Sequence, residues 1–340
     1  MKNYKNRFLF FSAVALFLAL PLAAQLRING YFSLDYLKGQ DQSLFSRGSF
    51  QNASAGLMFS GDWAPNFSYA LEVRFKENMR FEIEQAWAGW NASEALRVKI
   101  GLFLVPFGRY NLSNRPFQTG LAHAPYPIGE NFPESWRDLG LLAEGKIGFL
   151  LYSAYIGNGL AQGEDLRPSQ QFKDNNRDKG RGGRLGFLLS SELEVGLSYY
   201  SGKVDAANER NLSLQGADLR WANKDWSLIA EYSKSDIQNP APLAKGKGEG
   251  YFVFLSLNFD NLVPFVAYEK YSASNPLPDA AAGGGWSVAP GLLGNYSRWV
   301  FGVAYSVHQN ILLKFEYDIN RESNLELRDN LFRVQAAVHF

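Results

Sequence analysis

Past Gln25 the chain alternates apolar and polar residues in short runs, most plainly in its last ten residues. Within Leu331 to Phe340, Phe332, Val334, Ala336, Val338 and Phe340 share one face of an extended strand. Arg333, Gln335, Ala337 and His339 take the other face. This period suits a strand of a membrane barrel, with lipid on one side and a wet lumen on the other. A soluble edge strand would read the same over ten residues, so recurrence has to decide.

The pattern recurs along the whole chain. Leu26, Ile28, Gly30, Phe32, Leu34 and Tyr36 alternate with Arg27, Asn29, Tyr31, Ser33 and Asp35. Ala53 to Phe59 and Phe67 to Phe75 follow, the latter setting its apolar residues against Glu72, Arg74 and Lys76. Met79, Phe81, Ile83 and Trp87 oppose Arg80, Glu82 and Glu84; Leu96 to Leu104 opposes Arg97 and Lys99. Further segments are expected at 138–145, 148–157, 180–190, 192–202, 211–221, 225–236, 249–259, 262–271, 296–308 and 310–321. With the last, that makes sixteen. None spaces its apolar residues by three and four, as a helix would. In 211–221, Leu212 and Leu214 lie on one phase and Ala217, Leu219 and Trp221 on the other, so a bulge is expected there.

The connections sort by parity. Odd-numbered links are long (38–48, 106–137, 158–179, 203–210, 237–248, 272–295, 322–328), and even-numbered links are short. A tight turn at Glu77 and Asn78 is the exception. Short turns on one rim and long loops on the other predict an all-β, transmembrane antiparallel barrel of about sixteen strands with both ends in the periplasm. Aromatic residues near strand ends fit headgroup girdles: Tyr36, Trp63, Phe67, Trp90, Trp226, Phe259, Tyr271, Trp299 and Phe340.

Composition narrows the classes. Lys2, Lys5 and Arg7, the apolar run Phe8 to Leu22, and Ala23-Ala24 predict a signal peptide over 1–24 and a barrel over 25–340. An uncleaved anchor helix would need a longer run. Without that segment the chain holds 31 Lys+Arg against 33 Asp+Glu, which excludes a strongly basic nucleic-acid binder. There is no cysteine, hence no disulfide or thiolate metal site. No later stretch approaches twenty apolar residues. Aromatic content is 15% while mean hydropathy is only −0.22. Apolar residues placed at every second position would give that combination.

Arg97 to Arg109, R-V-K-I-G-L-F-L-V-P-F-G-R, resembles a strand and loop of the phosphate-selective porin O/P family. Glu84-Gln85-Ala86-Trp87 precedes it as in that family. Arg137-Asp138-Leu139-Gly140 is similar to the R-D-x-G element at the return from an inward loop. Tyr155-Ile156-Gly157-Asn158-Gly159, Asp174-Asn175-Asn176 and Arg184-Leu185 are similar to the family's Y-x-x-N-G, D-N-N and G-R-L elements. The resemblance implies a sixteen-stranded trimeric passive porin of the outer membrane of a Gram-negative-type bacterium, with a long inward-folded loop between strands 5 and 6. Apart from the resemblance, a membrane barrel is expected to meet membrane lipids, lipopolysaccharide and the barrel-assembly machinery, with Phe332, Val334, Val338 and Phe340 as the expected assembly signal.

Family members that select phosphate use arginines on the inward loop and a lysine ladder in the lumen. The candidates here are Arg109, Arg115 and Arg137 on the loop, and Arg97, Lys99, Arg184 and Arg298 on inward strand faces. Arginine forks suit phosphate and carboxylate. Glu82, Glu84, Glu231, Glu316 and Asp318 also face inward by phase, so the lumen is mixed in sign, with no uninterrupted lysine ladder. That favours small-solute passage or a modest anion preference.

Other constellations are weaker. Asp174, Asn176, Asp178 and Gly180 open like a calcium loop, but Leu185 cannot close it. His123, His308 and His339 are scattered without zinc spacing, and neither metal nor other cofactor is expected. Gly180 to Gly183 lacks a phosphate loop's lysine, and Gly283 to Gly285 belongs to a long exterior loop. A barrel hydrolase lacks a placed Ser–His pair, so no enzyme is expected. The remaining rivals to a passive pore are a phosphate-specific channel and a plugged scaffold or adhesin acting through its long loops.

Overall fold

A computed structural model describes residues 26–76, 80–161, 169–239, 244–274, 296–322 and 326–340. The expected signal peptide (1–24), the tight turn at Glu77 and Asn78 and the Gly283–Gly285 segment lie outside the described residues.

Among the described residues, sixteen strands form a closed antiparallel barrel in sequence order, with the last pairing to the first. They are β1 (Arg27–Gly39), β2 (Ser49–Ala64), β3 (Phe67–Lys76), β4 (Phe81–Ser93), β5 (Leu96–Leu104) and β6 (Arg137–Ile147). Then come β7 (Leu150–Gly157), β8 (Gly180–Leu188), β9 (Leu193–Lys203), β10 (Asn211–Ala222) and β11 (Trp226–Ile237). The set ends with β12 (Gly246–Leu257), β13 (Leu262–Ser274), β14 (Tyr296–His308), β15 (Ile311–Glu322) and β16 (Leu331–His339). Phe32 opposite Val338 and Tyr36 opposite Val334 close the ring. Closure removes the free edges that a sheet in hydrocarbon could not satisfy.

Outward positions are apolar and bare: Ile28 is 53% exposed, Ile100 61% and Phe301 49%. Contiguous apolar exposure on this scale needs lipid rather than water against it. No helix among the described residues is long and apolar enough to cross a membrane; the strands do the crossing. Phe332 and Phe340 lie outward, with Arg333 and Gln335 buried inside.

Three sequence expectations change. Strand β10 pairs with both neighbours without any register shift, so the expected bulge is absent. Leu212 and Leu214 face inward, each 0% exposed, because apolar residues of the inward loop pack on them. Among the register shifts that do occur, one in β4 moves a candidate residue: Glu72 pairs with Gln85 and Val73 with Ile83. It turns Gln85 and Trp87 into the lumen, whereas simple alternation put Trp87 outward with Ile83. Tyr271 also faces inward, edge-on to Tyr126 of the loop at 5.9 Å, and is not a girdle residue.

Candidate functional site

Residues 105–136, between β5 and β6, fold into the barrel and divide its interior. A cavity of about 630 Å³ opens toward the long-loop rim, lined in part by Asp35, Asn52, Arg74, Lys76, His123 and Arg298. A second, of about 540 Å³, opens toward the short-turn rim, with Trp87, Arg97, Lys99, Arg115, Glu144 and Arg184 among its walls.

The neck of the loop is made first by hydrophobic burial. Val105, Phe107, Phe132 and Trp136 are at most 1% exposed and join an apolar seam with Tyr155, Tyr200, Leu212 and Leu214. Phe107 lies 5.0 Å from Phe132, and Trp136 is edge-on to Tyr200 at 5.0 Å. Asn111 closes the neck: its Nδ2 donates to the carbonyls of Val105 (2.8 Å) and Trp136 (2.7 Å), and its Oδ1 accepts from Trp136 N. Gly108 takes φ +64°, and a Cβ there would stand 2.4 Å from Glu231 Oε2. That turn lets the amides of Arg109 and Tyr110 donate to Glu231, and that of Gly108 to Ser198 Oγ. The glycine of the P-F-G-R motif therefore has a local physical cause.

A belt of alternating charge crosses the wall beside the neck. The Arg115 guanidinium grips both oxygens of Glu72. Glu72 also accepts from Tyr31 Oη (3.3 Å) and Gln85 (2.9 Å). Arg74 donates to Tyr31 Oη at 2.8 Å and lies 3.4 Å from Glu84. Arg137 pairs with Glu84 (2.7 Å) and Glu82 (2.9 Å), and Ser135 donates to Glu84. Asp138, the next residue, accepts from the amides of Leu139 and Gly159, which binds the R-D-x-G element to the N-G turn after β7.

The tip of the loop is tied by ions. Lys314, 0% exposed, donates to the carbonyls of Pro116 (2.8 Å) and Leu121 (2.9 Å) and to Thr119 Oγ1. Glu316 accepts from Ala122 N, and Glu269 from Tyr126 N, each at 2.6 Å. The His123 ring bridges them, Nδ1 3.0 Å from Glu316 and Nε2 2.8 Å from Glu269. Burial pulls the imidazole pKa down, but Glu269, Glu316 and Asp318 outweigh it and push it up to about 9.

The remaining candidates are placed as follows. Arg97 lies 2.5 Å from Asn91 and 3.5 Å from Glu144; Lys99 is 2.8 Å from Glu144 and 4.6 Å above the Trp87 ring. Arg109 reaches Glu194. Arg184 is shared by Asp218 and Glu194. Arg298 donates to Asn320, 3.8 Å from Glu269. All seven basic candidates thus stand beside a carboxylate. Glu82, Glu84, Glu231, Glu316 and Asp318 all face the interior. Sequence reasoning passed over Lys314, Glu269, Asn111 and Trp136. Strand phase points Lys314 and Glu269 inward; nothing local singles out Asn111 or Trp136.

The model of the family "Phosphate-selective porin O and P" matches residues 26–127, from β1 to the tip of the inward loop. Over that segment the barrel is similar to that porin family. Arg97 to Arg109 falls inside the matched segment, while the R-D-x-G and Y-x-x-N-G elements lie beyond it. An uncharacterized protein of Aquifex aeolicus (strain VF5) is 23% identical, over 89% of this chain and 77% of that one. The anion-selective porin from Comamonas acidovorans superposes with a TM-score of 0.64 at 10% identity, over 93% of this chain and 99% of that chain. The trimer form of OmpT from Vibrio cholerae gives 0.64 at 11%, over 94% and 100%. OmpF of Salmonella typhi, in complex with daunomycin, gives 0.65 at 13%, over 93% and 97%. These structures share the fold of this chain. The family match over residues 26–127 points to an outer-membrane channel.

Proposed function

We propose that the protein is a porin, a passive diffusion channel for small hydrophilic solutes, weakly anion-preferring and assembled as a homotrimer in a Gram-negative-type outer membrane. One observation carries the reading of selectivity: every candidate arginine in the lumen is matched by a carboxylate. Such a belt presents fixed charge of both signs to a passing solute and filters by width before charge. A dedicated phosphate site would instead leave guanidinium forks free to grip the anion. The trimer reading draws on the trimer form of the OmpT relative.

Reversal potentials in planar bilayers test this. The expected result is a small anion preference with no block of chloride current by low phosphate. Phosphate block that disappears on joint replacement of Arg109, Arg115 and Arg137 by alanine would replace this reading with the specific channel. A second reading, a plugged scaffold or adhesin, is favoured by one feature: the loop stands between two cavities. Absence of stepwise conductance would establish it.

A further inference from the structure

The tip of the loop brings together three side chains able to ligate a metal, one of which, Asp318, has acceptors left unused. One ring nitrogen of His123 and one carboxylate oxygen each from Glu316 and Asp318 all lie within 4.8 Å of one another. Asp318 is 0% exposed, yet neither of its oxygens has a hydrogen-bond partner among the described residues. Arg333 Nη2 stands 3.6 Å from Asp318 and Arg333 Nε 3.6 Å from Glu316, both beyond good hydrogen-bond length. A buried carboxylate left so is costly, and an unspent acceptor calls for a cation.

We propose that His123, Glu316 and Asp318 form a binding site for one divalent transition-metal ion of the Zn²⁺ class, which clamps the loop tip to β15.

The donor set suits that class: one imidazole nitrogen and two carboxylate oxygens, with bonds of about 2.1 Å and a fourth position left to water. Three donors within 4.8 Å must draw together slightly to reach those bonds. The surroundings of His123 fit a ligand. Its Nε2 faces Glu269 at 2.8 Å, which leaves Nδ1, the nitrogen beside Glu316, for the metal. A carboxylate on the far ring nitrogen is the usual orienting partner of a metal-bound histidine. The charge around the site leaves room for a cation. Asp35, Glu269, Glu316 and Asp318 converge there against Arg298, Arg333 and Lys314, and Lys314 donates its hydrogen bonds to the loop. Binding releases the imidazole proton as the ion takes its place. The site is independent of which solute the porin passes.

Titrating Zn²⁺ alone into the full chain in detergent, followed by calorimetry, tests the assignment. The expected result is one saturable ion per chain, weakened at least tenfold by Asp318→Asn and by Glu269→Gln but unchanged by His308→Ala at the short-turn rim. Unsaturable binding, or Asp318→Asn binding as tightly as the parent, overturns it. Should Asp318→Asn yield no folded barrel, Co²⁺ added to the parent decides. Visible absorption bands that saturate at one equivalent and are displaced by Zn²⁺ uphold the site; a spectrum like that of aqueous Co²⁺ overturns it.

Discussion

The neck and the tip of the inward loop are fixed to the same barrel by different physics. At the neck, Phe107, Phe132 and Trp136 are removed from water against Tyr200, Leu212 and Leu214. At the tip, Lys314, Glu316, Glu269 and His123 hold backbone and ring by charged hydrogen bonds. Burial of aromatic surface involves no charge to be screened and no lone pair for a bound ion to compete for. Charged contacts answer to whatever competes for their lone pairs. The neck therefore sets where the loop lies, and the tip sets how firmly it stays there.

Substitutions at each end should separate the two. Trp136→Ala removes the largest fully buried side chain of the seam and should cost about 4 kcal/mol. A lower midpoint for loss of the compact heat-modifiable form on gels would register it. A midpoint equal to the parent's would mean the neck is not held by packing. Lys314→Met strips three acceptors of their donor and should cost about 3 kcal/mol while leaving the neck in place. Faster protease cleavage within 116–130, with the neck still protected, is the expected pattern; cleavage at both ends together would merge the two regions into one. Arg97→Ala, partly exposed beside Glu144 near the short turns, should cost under about 1 kcal/mol. It should shift reversal potential slightly without changing the midpoint, and a midpoint shift as large as that of Lys314→Met would contradict the ranking.

The barrel was readable from the chain because lipid and water impose a strict period of two on every strand. Phe332, Val334 and Val338 opposite Arg333 and Gln335 needed nothing distant to be placed. Reading failed where something other than lipid or water met the wall. Leu212 and Leu214 looked like a phase slip because apolar residues on a lumen face make sense only once Trp136 and Phe107 are known to cover them. Trp87 departs from simple alternation for a different reason: the β4 bulge inserts one residue, and no local composition marks it. The tip contacts were hidden by distance along the chain. His123 and Glu316 are 193 residues apart, so no spacing motif could join them. Strand phase did put Glu82, Glu84, Glu231, Glu316 and Asp318 inside, but phase alone cannot say which arginine each one meets.

Single-channel conductance of a variant in which 116–130 is replaced by a short Gly-Ser link tests the central claim most directly. With the neck intact and the tip removed, the path between the two cavities widens, and clearly larger current steps than the parent's are expected. Steps of unchanged size would show that the inward loop does not set the aqueous path.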